Sequence, residues 1–361
     1  MNTTTQDTKG DSTLHESVTL HVDDDQLATV TIDLPGKKIN TFNEGVLTSL
    51  DTALDRIETQ TTNGGIKGVI IRSGKPGSFI AGADINLIAE LESAEEGSRA
   101  AEAGQRIFNR IHDLPVPTIA LIDGICLGGG LELALSCDYR IATPDTRTRM
   151  GLPETQLGVL PGWGGTFRLP RIVGIAEATK MILTGGTVSG DKALRTGLVD
   201  LVYPAAFLKE WGRAALLSIV TDGSHPSIAK NHKRAEKRRN GFLEKTAIGR
   251  SILFNAATKD VRKRTGGHYP AQLMALSVLK KTARSSRRSL GNRRFRAKAL
   301  TLEHNAFGRL AITPECDSLI QLFFARESVK RLPILEHAPE KRVERAAVLG
   351  AGVMGGKIAW L

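Results

Sequence analysis

The sequence predicts an α/β fold followed by a helical region, and three observations carry that expectation. Between Val18 and Pro204, short β-rich runs alternate with stretches of helical periodicity, as in domains that layer strands with helices. Beyond Pro204 the β-branched runs thin out, and helical stretches rich in basic residues replace them. At the far end RAAVLGAG reads as a new strand, and Gly350, Gly352 and Gly355 form a G-x-G-x-x-G. That pattern turns a strand tightly into a helix whose N-terminus receives a pyrophosphate.

The elements follow in order. Residues 1–17 are polar and read as a disordered N-terminus; they lack the apolar run of a signal peptide and the arginines of a transit peptide, so a cytoplasmic location is expected. QLATVTID and GVIIRSG read as strands, and between them Val46, Leu47, Leu50, Leu54 and Ile57 mark one face of a helix. A second helix ends before Leu114-Pro115, because the residue preceding a proline is pushed out of the α region. VPTIALIDGICLGGG carries an apolar strand into glycines, and LELALSCDY continues as a helix that starts there. NHKRAEKRRNG reads as a surface connector, and residues 270–331 are mostly helical. EHAPEKRVER then reads as a linker. The organisation expected is a disordered residues 1–17, an α/β core over 18–204, a basic helical region with linker over 205–342, and a nucleotide-binding start over 343–361.

At 361 residues the chain exceeds one average core. No stretch of 18 apolar residues suggests a membrane span. Cys126, Cys137 and Cys316 are odd in number and form no C-x-x-C pair, and the histidines show no ligand spacing. A disulfide framework and a metal site are therefore not expected. The net charge of +11 is concentrated: residues 230–298 hold 21 Lys and Arg against Glu236, Glu244 and Asp260, a local +18 that leaves the rest at −7. Solvated helix faces, an acidic partner, an anionic membrane surface or a polyanionic ligand would each accommodate that segment. Nucleic acid is not expected, since no aromatic interleaving or recognition motif accompanies the charge.

Four stretches carry candidate chemistry: SGKPGSFIAGADI, GICLGGGLELALSCD, GLPETQLGVLPGWGGTFRLPR and TGLVDLVYP. A glycine triplet alone usually marks a turn. Here it joins an apolar strand to a helix that holds Glu132 among Leu131, Leu133, Ala134 and Leu135. Glu154 likewise sits among apolar neighbours after Pro153. Either glutamate alone could be a surface residue, but carboxylates buried in such settings are paired or catalytic. Asp84 reads first as a helix cap, and Gly162, Gly164 and Gly165 as a tight turn.

These stretches resemble the crotonase, or enoyl-CoA hydratase, superfamily. The longer resemblance is to the α-subunits of the bacterial fatty acid β-oxidation complex, which combine a hydratase with a 3-hydroxyacyl-CoA dehydrogenase. It continues through GFLEKTAIGRSILF, RTGGHYPAQLMAL and LAITPECDSLIQLFF into the terminal glycines, covering nearly all of residues 18–361. The resemblance implies a ββα spiral core and the hydration of trans-2-enoyl-CoA. Glu132 would then activate water, Glu154 would exchange the Cα proton, and the amides of Ala81 and Gly129 would form the oxyanion hole. Ala81, Gly82, Ala83, Asp84, Gly128 and Gly129 would contact the acyl-CoA. Hydration needs no cofactor. A crotonase-fold enzyme of different chemistry, such as a Δ3,Δ2-enoyl-CoA isomerase, and an idle fragment with an assembly role are the alternatives. A thiolase β-subunit and further copies of the chain are the protein partners that the resemblance suggests. Trp163 exceeds the residue most relatives place there, which bears on acyl chain length.

The same resemblance assigns Gly350, Gly352 and Gly355 to NAD. A complete nucleotide-binding unit spans ~30 residues and carries an acid ~20 positions after the glycines, a position that would fall beyond residue 361. The expectation is a chain truncated at the start of its NAD-binding domain, with no dehydrogenase activity.

Overall fold

The computed structural model describes residues 17–237, 241–282, 290–330 and 347. Strands β1 (Val18–Val22) and β2 (Leu27–Ile32) precede helix α1 (Glu44–Thr62) and strand β3 (Gly68–Ser73). Strand β4 (Ser78–Ile80) leads to α2 (Ile85–Ala89) and α3 (Ala94–His112). Strands β5 (Thr118–Ile122) and β6 (Ile125–Leu127) lead to α4 (Gly129–Ser136). Strands β7 (Tyr139–Ala142) and β8 (Arg149–Gly151) lead to a 3₁₀ turn, Glu154–Leu157, then α5 (Gly165–Val173), α6 (Ile175–Thr184) and α7 (Gly190–Thr196). After β9 (Leu201–Val202) the described elements are helical: α8 (Leu208–Asp222), α9 (Pro226–Lys237), α10 (Gly241–Lys245), α11 (Ala247–Thr265), α12 (Pro270–Thr282), α13 (Arg293–Ala311) and α14 (Pro314–Lys330).

The strands form two sheets, one in the order β1-β2-β3-β5-β7-β9 and one in the order β4-β6-β8. Among the described strands, the β1–β2 pairing is antiparallel and the other strand pairings are parallel. Three times a strand of the larger sheet is followed by a strand of the smaller sheet and then by helix, which is the expected ββα spiral. The larger sheet is covered on both faces. Ala28, Val30, Ile32, Val69, Ile71, Ala120 and Ile122 join the main core, while Leu27, Ile70, Ile119 and Leu121 pack with Leu208, Leu216 and Ile219 of α8. This alternation reflects the two-residue period of a strand, and burial of both faces accounts for its near-continuous apolar runs.

Helix α1 begins where the Asn43 side chain accepts from the Val46 amide at 2.9 Å, satisfying one donor of the first turn. It buries Val46, Leu50, Leu54 and Ile57, the face that the periodicity marks. Helix α3 stops at His112, ahead of Leu114-Pro115.

Two sequence expectations require correction. VPTIALIDGICLGGG is not one strand but two, β5 and β6, which belong to different sheets and are separated by Asp123 and Gly124. NHKRAEKRRNG is not a connector up to Lys237: residues 231–237 lie on α9, which buries Ile228 and Ala235, seven residues and two turns apart, and residues 238–240 lie outside the described residues.

The change of texture at Pro204 is not a change of core. Phe254 and Val261 of α11, Ala275 and Leu279 of α12, and Ala306 and Leu310 of α13 lie in the same cluster as Val30 and Ile71. Among the described residues, those up to Ile320 form one compact unit and those from Gln321 onward belong to a second. Part of the basic segment is internal: the Arg296 side chain is almost fully buried and meets Asp113 at 2.5 Å. No helix among the described residues is long and apolar enough to cross a membrane. Gly350, Gly352 and Gly355, with the NAD site expected there, lie outside the described residues.

Candidate active site

Glu132 occupies the first turn of α4, every residue of which is buried. Its Oε1 accepts from the Trp163 amide at 2.8 Å and the Gly165 amide at 2.7 Å, which fixes that oxygen. Its Oε2 has no hydrogen-bond partner among the described residues. Burial drives the Glu132 pKa well above the ordinary carboxyl range, the charges of Glu154 and Glu303 add to the effect, and the two amides oppose it.

Glu154 opens the 3₁₀ turn after Pro153. Its Oε2 is buried without a partner, and a side chain at Gly128 would begin 3.2 Å from its Oε1. Burial pushes the Glu154 pKa up to about 8, with Glu303 adding and its own amide opposing. A carboxyl in that range retains its proton at neutral pH, whereas an ordinary glutamate has lost it.

The glycine segments meet beside this pair. A side chain on Gly82 would begin 3.4 Å from the Leu127 carbonyl and 3.9 Å from the Gly128 Cα. Gly82 itself has φ 113°, a backbone state that costs glycine little and other residues much. The Gly129 amide lies at the first position of α4, where no intrahelical acceptor exists. Asp84 caps α2 by accepting from the Asn86 amide at 3.0 Å.

The donor role expected of Ala81 does not hold. Its amide donates to the Asn40 carbonyl at 2.8 Å and is already committed. After the turn at Gly82, Phe42 takes the neighbouring groups: its amide donates to the Gly82 carbonyl at 2.8 Å and its carbonyl accepts from the Asp84 amide at 2.9 Å. The Ala83 amide between them has no partner among the described residues. Asn40, which the sequence reading missed, anchors this bend. Its fully buried side chain donates to the Ile32 carbonyl at 2.8 Å and accepts from the Leu34 amide at 2.8 Å.

Beyond the glutamates, Trp163 stands edge-on to Phe42 and Phe108, with ring centroids 5.4 and 5.5 Å away. Its six-membered ring covers Gly129, where a Cβ would meet it at 2.4 Å. Gly164 has φ 107°, the turn expected there. Gly165 has a further role: any side chain would begin 2.9 Å from the Glu132 Oε1 that its amide holds. Sequence reading also missed Glu303 of α13, a third carboxylate buried beside the pair.

An Enoyl-CoA hydratase/isomerase family model matches residues 23–267. Fatty acid oxidation complex subunit alpha of Aliivibrio fischeri is 42% identical over 93% of the chain, and that of Idiomarina loihiensis 40% over 96%. The chain spans 46% of the length of each, about half. Among solved structures, an enoyl-CoA hydratase from Bacillus anthracis is similar at 27% identity and a TM-score of 0.52, covering 75% of this chain and 99% of that one. The human mitochondrial delta3-delta2-enoyl-CoA isomerase, at 22% identity and a TM-score of 0.59 over 88% of this chain and all of that one, shares the fold. With its ββα spiral, its convergent glycine turns and this family match, the chain belongs to the enoyl-CoA hydratase/isomerase family, the crotonase superfamily.

Proposed function

We propose that the chain hydrates trans-2-enoyl-CoA thioesters to 3-hydroxyacyl-CoA, serving fatty acid β-oxidation. The observation that carries this reading is the convergence of a buried and a half-buried glutamate with unequal surroundings, Glu132 held by two amides and Glu154 with one buried, unpartnered oxygen. Glu132 Oε2 takes a proton from water as the water oxygen bonds to Cβ. The electron pair of the double bond moves toward the thioester oxygen, and Glu154 delivers a proton to Cα. The enolate oxygen is received by the Gly129 amide and, in place of Ala81, by the Ala83 amide. Backbone donors suit this step because they are already oriented; losing one such donor costs ~10²–10³ in rate. The similarity to fatty acid oxidation subunits supports the pathway assignment and makes a thiolase-type subunit the expected partner.

Isomerisation of a 3-enoyl-CoA over the same enolate is the second reading, because Glu154 alone suffices to move a proton between carbons. Loss of the enoyl thioester absorbance of crotonyl-CoA tests the assignment. The wild type is expected to turn over, and Glu154→Gln to lose hydration at least a hundredfold. A Glu154→Gln enzyme of wild-type rate would remove the proposed acid. A folded wild type that isomerises 3-enoyl-CoA but leaves crotonyl-CoA untouched would replace hydration with isomerisation.

A further inference from the structure

Four successive backbone amides, from Trp163 to Thr166, alternate between two buried carboxylates. Trp163 and Gly165 donate to Glu132 at 2.8 and 2.7 Å. Gly164 and Thr166 donate to Glu303 at 2.6 and 2.9 Å. The remaining acceptor sites of Glu303 are filled by the Thr166 hydroxyl at 2.5 Å and the Gln105 amide at 3.0 Å. Gln105 of α3 also donates to the Gly162 carbonyl at 2.9 Å, so the turn is gripped at both ends. Glu303 is completely buried, and its four donors match the four lone-pair sites of an ionised carboxylate.

We propose that Glu303 is a positioning residue: from α13 it fixes the turn whose intervening amides hold Glu132, and its ionised carboxylate supplies a fixed negative charge beside Glu132 and Glu154. The catalytic part of this assignment rests on the hydratase reading; the geometric and electrostatic part does not. The charged groups that bear on the cluster are Glu132 of α4, Glu154 of the 3₁₀ turn, and Arg168 of α5, whose guanidinium is buried and attracted by both Glu303 and Glu132. Arg168 also donates to the Trp163 carbonyl at 2.9 Å. Burial is the larger cause of the upward displacement of Glu132 and Glu154, and a negative charge at Glu303 adds to it; burial raises the Glu303 carboxyl as well, and its four donors oppose that rise.

The test is Glu303→Gln in the full chain. Glutamine keeps the shape but replaces one acceptor oxygen with a donor, so two of the four donors lose their acceptor. For hydration of crotonyl-CoA, kcat is expected to fall at least tenfold with KM within about twofold, and the alkaline limb of the pH profile to move to lower pH by one unit or more. The second arm needs no activity: in carboxyl-¹³C-glutamate protein the Glu154 signal, identified by its loss in Glu154→Gln, is expected to titrate at lower pH in Glu303→Gln than in wild type. Thr166→Val, which removes one hydroxyl donor and retains the amide, covers the case in which Glu303→Gln fails to fold. It is expected to lower kcat two- to tenfold with KM unchanged and to leave the Glu154 titration in place, because Glu303 keeps its charge.

An unmoved Glu154 titration in Glu303→Gln, an unchanged kcat in Thr166→Val, or a loss confined to KM in either overturns the proposal. A wild type inactive on crotonyl-CoA whose Glu154 titration still shifts overturns the hydratase reading and keeps the electrostatic role of Glu303.

Discussion

Replacing Glu132 with glutamine is expected to lower kcat for enoyl-CoA hydration by about 10²–10⁴, the usual contribution of one general base. The substitution retains volume and one acceptor oxygen, so the amides of Trp163 and Gly165 keep their partner and the turn stays in place. On the proposed mechanism the lost step is removal of a proton from water, and KM for the thioester should change little because the backbone donors proposed to receive it are untouched. The pH profile gives the same assignment a second check. With both carboxyls protonated no base exists, so the rate falls toward low pH. With both ionised no acid exists, so it falls again at high pH, above the raised range into which burial pushes both carboxyls. The two limbs belong to the interacting pair. Steady-state kinetics on crotonyl-CoA between pH 5 and pH 10 measures both effects. A Glu132→Gln enzyme within threefold of wild type would remove Glu132 as the base.

The second large effect concerns stability. Asp200 is wholly buried at the approach to β9, where its Oδ2 accepts from the Arg140 amide at 2.7 Å and guanidinium at 3.1 Å. Its Oδ1 meets His232 of α9 at 2.5 Å. Asp200→Ala is expected to cost about 3–5 kcal/mol, because it removes the ion-pair partner of the buried Arg140 guanidinium. That is a large share of the ~5–15 kcal/mol that holds a domain folded. The carbonyls of Leu198 and Cys137, each 2.8 Å from Arg140 nitrogens, offset only part of the loss. Replacing both partners, as in Arg140→Met with Asp200→Leu, should cost far less than the single change, since no isolated charge remains. Urea unfolding of the three proteins decides the matter. A single-substitution loss below 1 kcal/mol would mean that the ion pair contributes little to stability.

The parts of the site that could be read from sequence are those whose signal is local. Glu132 and Glu154 stand out because each breaks an apolar run next to glycine or proline, and both fall into buried surroundings. The core of the sheet is legible for a similar reason, since VTI and VII read as strands buried on both faces. Glu303 gives no such signal: in TLEHNAFGRL it looks like one more glutamate on a charged helix, and its partners are 137 and 139 positions away. The direction of an amide is equally hidden. The positive φ of Gly82 turns the chain between Ala81 and Ala83, which commits one amide to Asn40 and leaves the other unpartnered. On α9, the density of charge masked Ile228 and Ala235, whose spacing already carried the helical signal.

The alternation of amides along Trp163–Thr166 also constrains how this part of the gene can change. Substitution is already limited there by the positive φ of Gly164 and by the 2.9 Å between a side chain on Gly165 and the Glu132 Oε1, and an insertion or deletion of a single codon would shift the reading of the ladder by one, handing each amide to the opposite carboxylate. Glu132 and Glu303 would then exchange partners although neither had been altered. Length variation among descendants of this chain should therefore collect outside the short stretch from Gly162 to Thr166.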